Sequence, residues 1–219
     1  MILMTGCKKT PTLPYTTDLE SAIRKKEAAT VKLLLDAGVD PNGLDAYMRS
    51  PMCDAAVSDD ITIVKILLDH GAKPQRQPNA DCSPVASAAQ SSSLEVLTAL
   101  IKAGADVNGD WPDGLSPLAN AISLNNQKAG IFLIKNGANP NAAMTTGRSL
   151  LSYAVDMKST GEEHSLAVTM LEHGATLEKS ECSRAMLAAY QRQGIGLVGM
   201  ITELPACKDV SIPASIPQE

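Results

Sequence analysis

The sequence predicts an all-α solenoid of about six stacked helix pairs joined by finger loops. The first observation is a glycine that recurs after an apolar helix end, at Gly38, Gly71, Gly104, Gly137 and Gly174. The first four are 33 residues apart and the last follows 37 residues later. The second observation is a Ser-Pro phrase with the same spacing at residues 50, 83 and 116, echoed by Ser149. A fixed period of this length indicates a stacked-repeat array.

The helix pairs are predicted to begin near residues 17, 50, 83, 116, 149 and 183. In the first pair Thr17 fits an N-cap, and the charges that follow suit the polar outer face of an end repeat. In pairs two to four the serine caps the inner helix, and the proline occupies the first turn, where its missing N–H is tolerated. Each recurring glycine suits the left-handed position that ends the outer helix.

The last two pairs depart from this pattern. Ser149 to Gly174 spans 25 residues where the other pairs take 21, so the turn near 158–164 is predicted to be longer. The sixth pair lacks the closing glycine phrase and is predicted to be a C-terminal cap, with a weak second helix because three glycines lie at 194, 196 and 199. The repeat domain is therefore placed at 17–207, between an N-terminal segment at 1–16 and a flexible tail at 208–219.

The two phrases resemble those of ankyrin repeats, in which a T-P-L-H-x-A-like start, here S-P-x-x-x-A, precedes a helix pair and then G-A-D-x-N. The resemblance covers roughly residues 17–204. It implies a concave surface of finger tips and inner helices that binds a protein partner. It also implies that Asn42, Asn108 and Asn141 stabilise the fingers, and that His70 and His173 have structural roles.

Composition excludes several classes of function. The net charge is −5 and no basic stripe is present, which argues against a nucleic-acid partner. No apolar run reaches the length of a membrane span. The three histidines share no motif spacing with a cysteine, serine or carboxylate, so we expect no enzyme activity. No cysteine spacing resembles a zinc site, so we expect neither a metal nor a cofactor.

The N-terminus resembles the end of a bacterial lipoprotein signal. Thr5-Gly6-Cys7 fits the lipobox, although Met4 stands where leucine is usual. This predicts a lipid anchor at Cys7, a tether over residues 8–16 and a periplasmic location. The alternatives are an N-terminal tail with a free cysteine, or a cytosolic form from a second start.

Four further cysteines could form disulfides. Cys182 and Cys207 flank the sixth helix pair, and an antiparallel pair returns the chain to its starting end, so these two could meet. Cys53 and Cys82 lie at equivalent ends of neighbouring repeats, which is a looser argument.

Departures from the repeat pattern indicate the partner-binding residues. Tyr47 and Trp111 lie at finger tips, and Trp111 and Met144 occupy the position where ankyrin repeats usually have aspartate. Tyrosine and tryptophan dominate binding hot spots, although Trp111 could instead fold onto the next finger. Further predicted contacts are on inner helices or on a charged rim: Asp54, Asn120, Tyr153, Arg49, Arg76, Arg148, Asp110 and Asp113. Two inner-helix rows are expected to face the partner: 21, 54, 87, 120, 153 and 187, then 25, 58, 91, 124, 157 and 191.

Short length, the lipobox and the repeats together resemble ankyrin-type immunity proteins, which neutralise phospholipase effectors delivered by type VI secretion. The resemblance implies a steric mechanism, with Trp111 and Tyr47 as anchors. One alternative is an adaptor or stress-protective scaffold for a resident protein. A more remote alternative is an effector that engages host proteins.

Overall fold

The computed structural model describes residues 16–91, 94–109, 114–144, 146–157, 165–192 and 195–210. Within these residues the chain forms twelve helices and no strand. The helices are α1 Thr16–Arg24, α2 Ala28–Asp36, α3 Pro51–Val57, α4 Ile61–Asp69, α5 Pro84–Ala88, α6 Glu95–Lys102, α7 Pro117–Ser123, α8 Gln127–Lys135, α9 Leu150–Asp156, α10 Leu166–Glu172, α11 Lys179–Arg192 and α12 Ile195–Thr202. Among the helices described, none is long and apolar enough to cross a membrane.

The helices stack in two rows. Each odd-numbered helix packs on the even-numbered helix that follows it, and the odd-numbered helices pack on one another to form the inner row. In the outer row α2 packs on α4, α4 on α6, α8 on α10 and α10 on α12. The predicted all-α solenoid of six helix pairs is therefore confirmed for the described residues.

Helix starts follow the predicted capping chemistry at the second and fourth repeats. Ser50 Oγ accepts a hydrogen bond from Cys53 N at 3.3 Å, and Ser116 Oγ accepts one from Ala119 N at 3.1 Å. The predicted caps at Ser83 and Thr17 are wrong, because the Ser83 side chain forms no capping bond and Thr17 lies inside α1, which begins at Thr16. The five recurring glycines have φ between 83° and 92°, the left-handed conformation predicted for helix ends.

The core is aliphatic, as the low aromatic content requires. Its largest fully buried side chains are those of Leu19, Ile23, Met52, Ile63, Leu67, Leu97, Leu100, Leu118, Leu133, Ile134, Leu150 and Leu151.

The C-terminal cap differs from the prediction in three ways. Helix α11 begins at Lys179 rather than near 183. Helix α12 forms despite the low helix propensity of its glycines. Burial of Leu197, Val198 and Ile201 against the stack stabilises the helix by more than the glycines destabilise it. The tail expected from 208 begins with turns, and Val210 packs against the core. Residues 211–219 and the long turn predicted at 158–164 lie outside the described residues.

Asparagine side chains join neighbouring repeats at the fingers. Asn108 Nδ2 donates to Gly137 O at 3.1 Å, and its Oδ1 accepts from Asn139 N at 2.7 Å. Two other asparagines form the same pair of bonds: Asn42 with Gly71 and Lys73, and Asn141 with Gly174 and Thr176. The predicted stabilising role of these asparagines is confirmed.

We expect Asn108→Ala to lower the free energy of unfolding by about 1–2 kcal/mol, because it removes two bonds between repeats. Urea unfolding followed by circular dichroism measures this change. Gln75 occupies the corresponding position in the second finger, and its side chain forms no hydrogen bond to another described residue. Gln75→Ala is therefore the matched control and should change stability by less than about 0.5 kcal/mol. Equal losses in both variants would contradict the role of the asparagines.

Candidate partner-binding surface

The first finger, residues 41–49, holds an exposed tyrosine on an ordered loop. Asp45 Oδ1 accepts hydrogen bonds from the backbone N–H groups of Tyr47 and Arg49, at 2.8 and 2.7 Å. Met48 has a φ of 56°, which is uncommon for a residue other than glycine. The tip formed in this way leaves the Tyr47 side chain 73% exposed.

The second finger adjoins the first. Asp81 N–H donates to Met48 O at 2.8 Å, and a disulfide joins Cys53 at the start of α3 to Cys82. Met48, which follows the exposed Tyr47, therefore lies beside Asp81, and Asp81 lines the same cavity as the exposed Val57 at the end of α3. We call these four residues, Tyr47, Met48, Val57 and Asp81, the first-finger patch.

The predicted register of the inner-helix face is wrong at three of its twelve positions, which are buried: Asp54, Ser87 and Met157. In the first predicted row Asp54 and Ser87 pack between the inner helices, and Asn120 Nδ2 donates to Ala86 O at 2.8 Å, while the remaining members of this row are partly exposed. The second predicted row is mixed, because Leu124 is exposed and Met157 is buried. Exposure is more consistent one residue before the second row: Arg24, Val57, Gln90, Ser123 and Tyr190 are exposed, and Asp156 in the fifth repeat is partly buried. A shift of one residue along a helix moves the side chain by about 100° around the helix axis. This is enough to move it from the face that packs on the next repeat to the exposed face.

Asp54 belongs to a partly buried ion-pair cluster between the first two repeats, in which the carboxylates of Asp54 and Glu20 are the more buried partners. It pairs with Arg49, while Glu20 pairs with Arg24. Burial raises the pKa of Glu20, and its hydrogen bond with Asp45 adds to the increase. Burial also raises the pKa of Asp54, although the Arg49 guanidinium opposes this.

Three carboxylates of this cluster could ligate a metal by their spacing alone. Glu20, Asp45 and Asp54 each have an oxygen within 4.8 Å of the others. The two guanidinium groups already supply positive charge there, however. The arrangement therefore serves as an ion-pair network that fixes the base of the first finger.

The predicted contacts in the fifth repeat are engaged within the protein. Arg148 lies 4.2 Å from the ring centroid of Tyr153 and donates to Asp156 Oδ2 at 3.0 Å. Tyr153 Oη donates to Thr146 Oγ1 at 3.0 Å. Met144 is partly buried and lines a cavity of 350 Å³ beside Arg148. These side chains stabilise the finger of this repeat. Their interactions within the protein would have to be replaced before they could contact a partner.

The remaining predicted contacts are placed as follows. Arg76 is exposed, and its Nε donates to Ala80 O at 3.1 Å within the second finger. Trp111, Asp110, Asp113 and the lipidation candidate Cys7 lie outside the described residues. The sequence analysis did not single out Met48, Val57 or Asp81 as contacts. The feature of the sequence that could have indicated this surface is an apolar residue, Val57, at the end of a short inner helix.

The cysteine pairs considered from the sequence both appear as disulfides. Cys182 and Cys207 have Cα atoms 5.5 Å apart across the last helix pair. Cys53 and Cys82, for which the argument was looser, have Cα atoms 6.3 Å apart. All four side chains are buried.

Comparison with known protein families matches ankyrin repeats, in three copies, over residues 19–110. The matched region contains the whole first-finger patch. No curated protein matches the chain.

Proposed function

Because residues 19–110 contain ankyrin repeats, which present extended surfaces for binding other proteins, we propose that this protein is a non-catalytic inhibitor of a secreted phospholipase toxin. It binds the toxin with the first-finger patch and covers the entrance to the active site, so that lipid is excluded. The protein thereby acts as an immunity protein for the cell that makes it.

The exposed Tyr47 is the observation that supports a binding role most directly. A tyrosine that is 73% exposed at a loop tip contributes nothing to the core. Backbone hydrogen bonds to Asp45 hold this loop in place, so little conformational entropy is lost when a partner binds. A rigid aromatic side chain of this kind suits a binding hot spot.

The cysteines support a location outside the cytosol. Disulfides persist in oxidising compartments such as the bacterial periplasm and are rare in the cytosol. A chain with two buried disulfides therefore suits the periplasm. A lipid anchor at Cys7 would hold the repeats at the membrane surface, where a phospholipase acts.

The test first asks whether a phospholipase is encoded beside this protein's gene, and then assays that enzyme, purified, on vesicles. We expect inhibition that is complete at one equivalent of the protein. Tyr47→Ala should weaken binding at least about tenfold, because hot-spot tyrosines contribute 2 kcal/mol or more. Tyr190→Ala is the matched control, since this tyrosine is also exposed, at 49%, but lies on α11.

Two results would contradict the proposal. Full phospholipase activity at a large excess of the protein would exclude inhibition. Tight binding to a resident protein, without any effect on the phospholipase, would favour the adaptor function instead.

A further inference from the structure

A cavity of 230 Å³ opens beside the first-finger patch, between the second and third repeats. Its lining combines one apolar side chain and a disulfide cysteine with four polar or charged groups: Val57, Cys82, Arg49, Asp81, Ser87 and Gln90. The cavity therefore has an apolar wall and polar groups that can bind a head group.

The polar groups of the cavity have unused hydrogen-bonding capacity. Ser87 is 1% exposed, and its Oγ has no hydrogen-bond partner in the part of the chain that the structure describes. A buried hydroxyl without a partner is unusual, because it has lost its hydrogen bonds to water. Asp81 is exposed and forms no ion pair with another described residue, and the Gln90 side chain is exposed beside it.

The charge around the cavity favours a cation. Arg49 is the positive group in the lining, and it is already paired with the buried Asp54. The carboxylate of Asp81 is therefore uncompensated. The neighbouring cluster adds two carboxyl groups, those of Glu20 and Asp45, and one guanidinium group, that of Arg24. The surroundings of the cavity therefore carry more carboxyl groups than guanidinium groups. The protein's net charge of −5 also favours the approach of a basic surface.

We propose that this cavity receives a lysine side chain of the bound protein partner. The alkyl stem packs against Val57 and the Cys53–Cys82 disulfide. The ammonium group donates to the Asp81 carboxylate and to the Gln90 side-chain carbonyl, above Ser87. An ammonium group has three donors and no acceptor, which suits a site that offers carboxylate, amide and hydroxyl oxygens. Tyr47 and Met48 then contact the surface around that lysine.

This inference rests on the proposed function only in that the lysine belongs to the bound partner. It can be tested on the whole protein without that partner. The probe is Nα-acetyl-lysine N-methylamide, titrated into the ¹⁵N-labelled chain with its disulfides intact. Three matched probes carry norleucine, glutamate or arginine in place of lysine. Norleucine retains the alkyl stem without the charge, glutamate reverses the charge, and arginine offers the other basic head group.

We expect saturable NMR shifts at the Gln90 side-chain amide and at the Ser87 backbone N–H with the lysine probe. The norleucine and glutamate probes should bind at least about fivefold more weakly. Asp81→Asn should weaken lysine binding about fivefold, whereas Asp69→Asn, a change to an exposed aspartate on the outer helix α4, should not. An unchanged pattern of backbone shifts elsewhere shows that the Asp81 variant is folded.

Three outcomes would overturn the proposal. They are the absence of saturable shifts at these positions, equal binding of the norleucine or glutamate probe, and tighter binding of the arginine probe. If phospholipase inhibition persists while the lysine probe fails, the cavity assignment alone is wrong. If the lysine probe binds while inhibition fails, the cavity assignment holds and the toxin is not the partner.

Discussion

Replacing Cys182 and Cys207 together by serine should lower the free energy of unfolding by about 3 kcal/mol. The disulfide joins positions 25 residues apart and so restricts the unfolded chain. Helix α12 lies at the C-terminal end of the stack, where it packs on α10 and α11 and has no further repeat beyond it among the described residues. Both cysteines are also buried, so the substitution places two hydroxyl groups in an apolar environment.

Urea unfolding of the oxidised proteins measures the change, and hydrogen exchange locates it. We expect amides of α12 to exchange much faster in the variant, because an end repeat has a neighbour on only one side. The matched control replaces Cys53 and Cys82, which are 29 residues apart in the middle of the stack. That variant should lose a similar free energy, with fast exchange in the second finger instead. An unchanged urea midpoint in the Cys182 and Cys207 variant would contradict the prediction.

Leu133→Ala should lower the free energy of unfolding by about 3 kcal/mol. Leu133 lies in the outer helix α8, is completely buried and precedes Gly137 by four residues. Removing its terminal carbons leaves a cavity that the neighbouring helices only partly close. Because this helix packs on both α7 and α10, the loss should also reduce the cooperativity of unfolding.

Leu33→Ala is the matched control for this second prediction. Leu33 lies in the outer helix α2 and is 70% exposed, so it should contribute less than about 0.5 kcal/mol. Urea unfolding followed by circular dichroism measures both variants under the same conditions. Similar losses at the two positions would show that the stack does not depend on a tightly packed centre.

The register of the inner helices shows where prediction from the sequence ends. The repeat period located α3 and α5 correctly and predicted that they line a common surface. It did not show which of Asp54, Val57, Ser87 and Gln90 would be open, because adjacent positions differ by about 100° around the helix. The angle at which neighbouring repeats pack decides this, and packing depends on side chains more than 30 residues apart.

The candidate site was predictable in part. Tyr47 is exposed on the first finger, and its contact with a partner stays a prediction. Asp54, Asn120, Arg148 and Tyr153 were predicted from position alone, yet each is engaged with other residues of the protein. A polar side chain on the surface of a repeat can form a hydrogen bond or ion pair with a neighbouring repeat as readily as with a partner protein. The sequence does not distinguish these two roles.

The sequence by itself determined the helix pairs, two of the predicted caps, the left-handed glycines and the asparagines that join the fingers. Each of these depends on a local backbone requirement that recurs with the period of the repeat. Only the tertiary structure decided that Asp81 meets Met48, that Cys53 pairs with Cys82, and that Ser87 lies buried beneath a cavity. Those contacts arise when repeats stack, because stacking brings together residues that no local pattern relates. The recurring glycine ends each helix, and the packing of one repeat on the next decides which side chains remain free to bind.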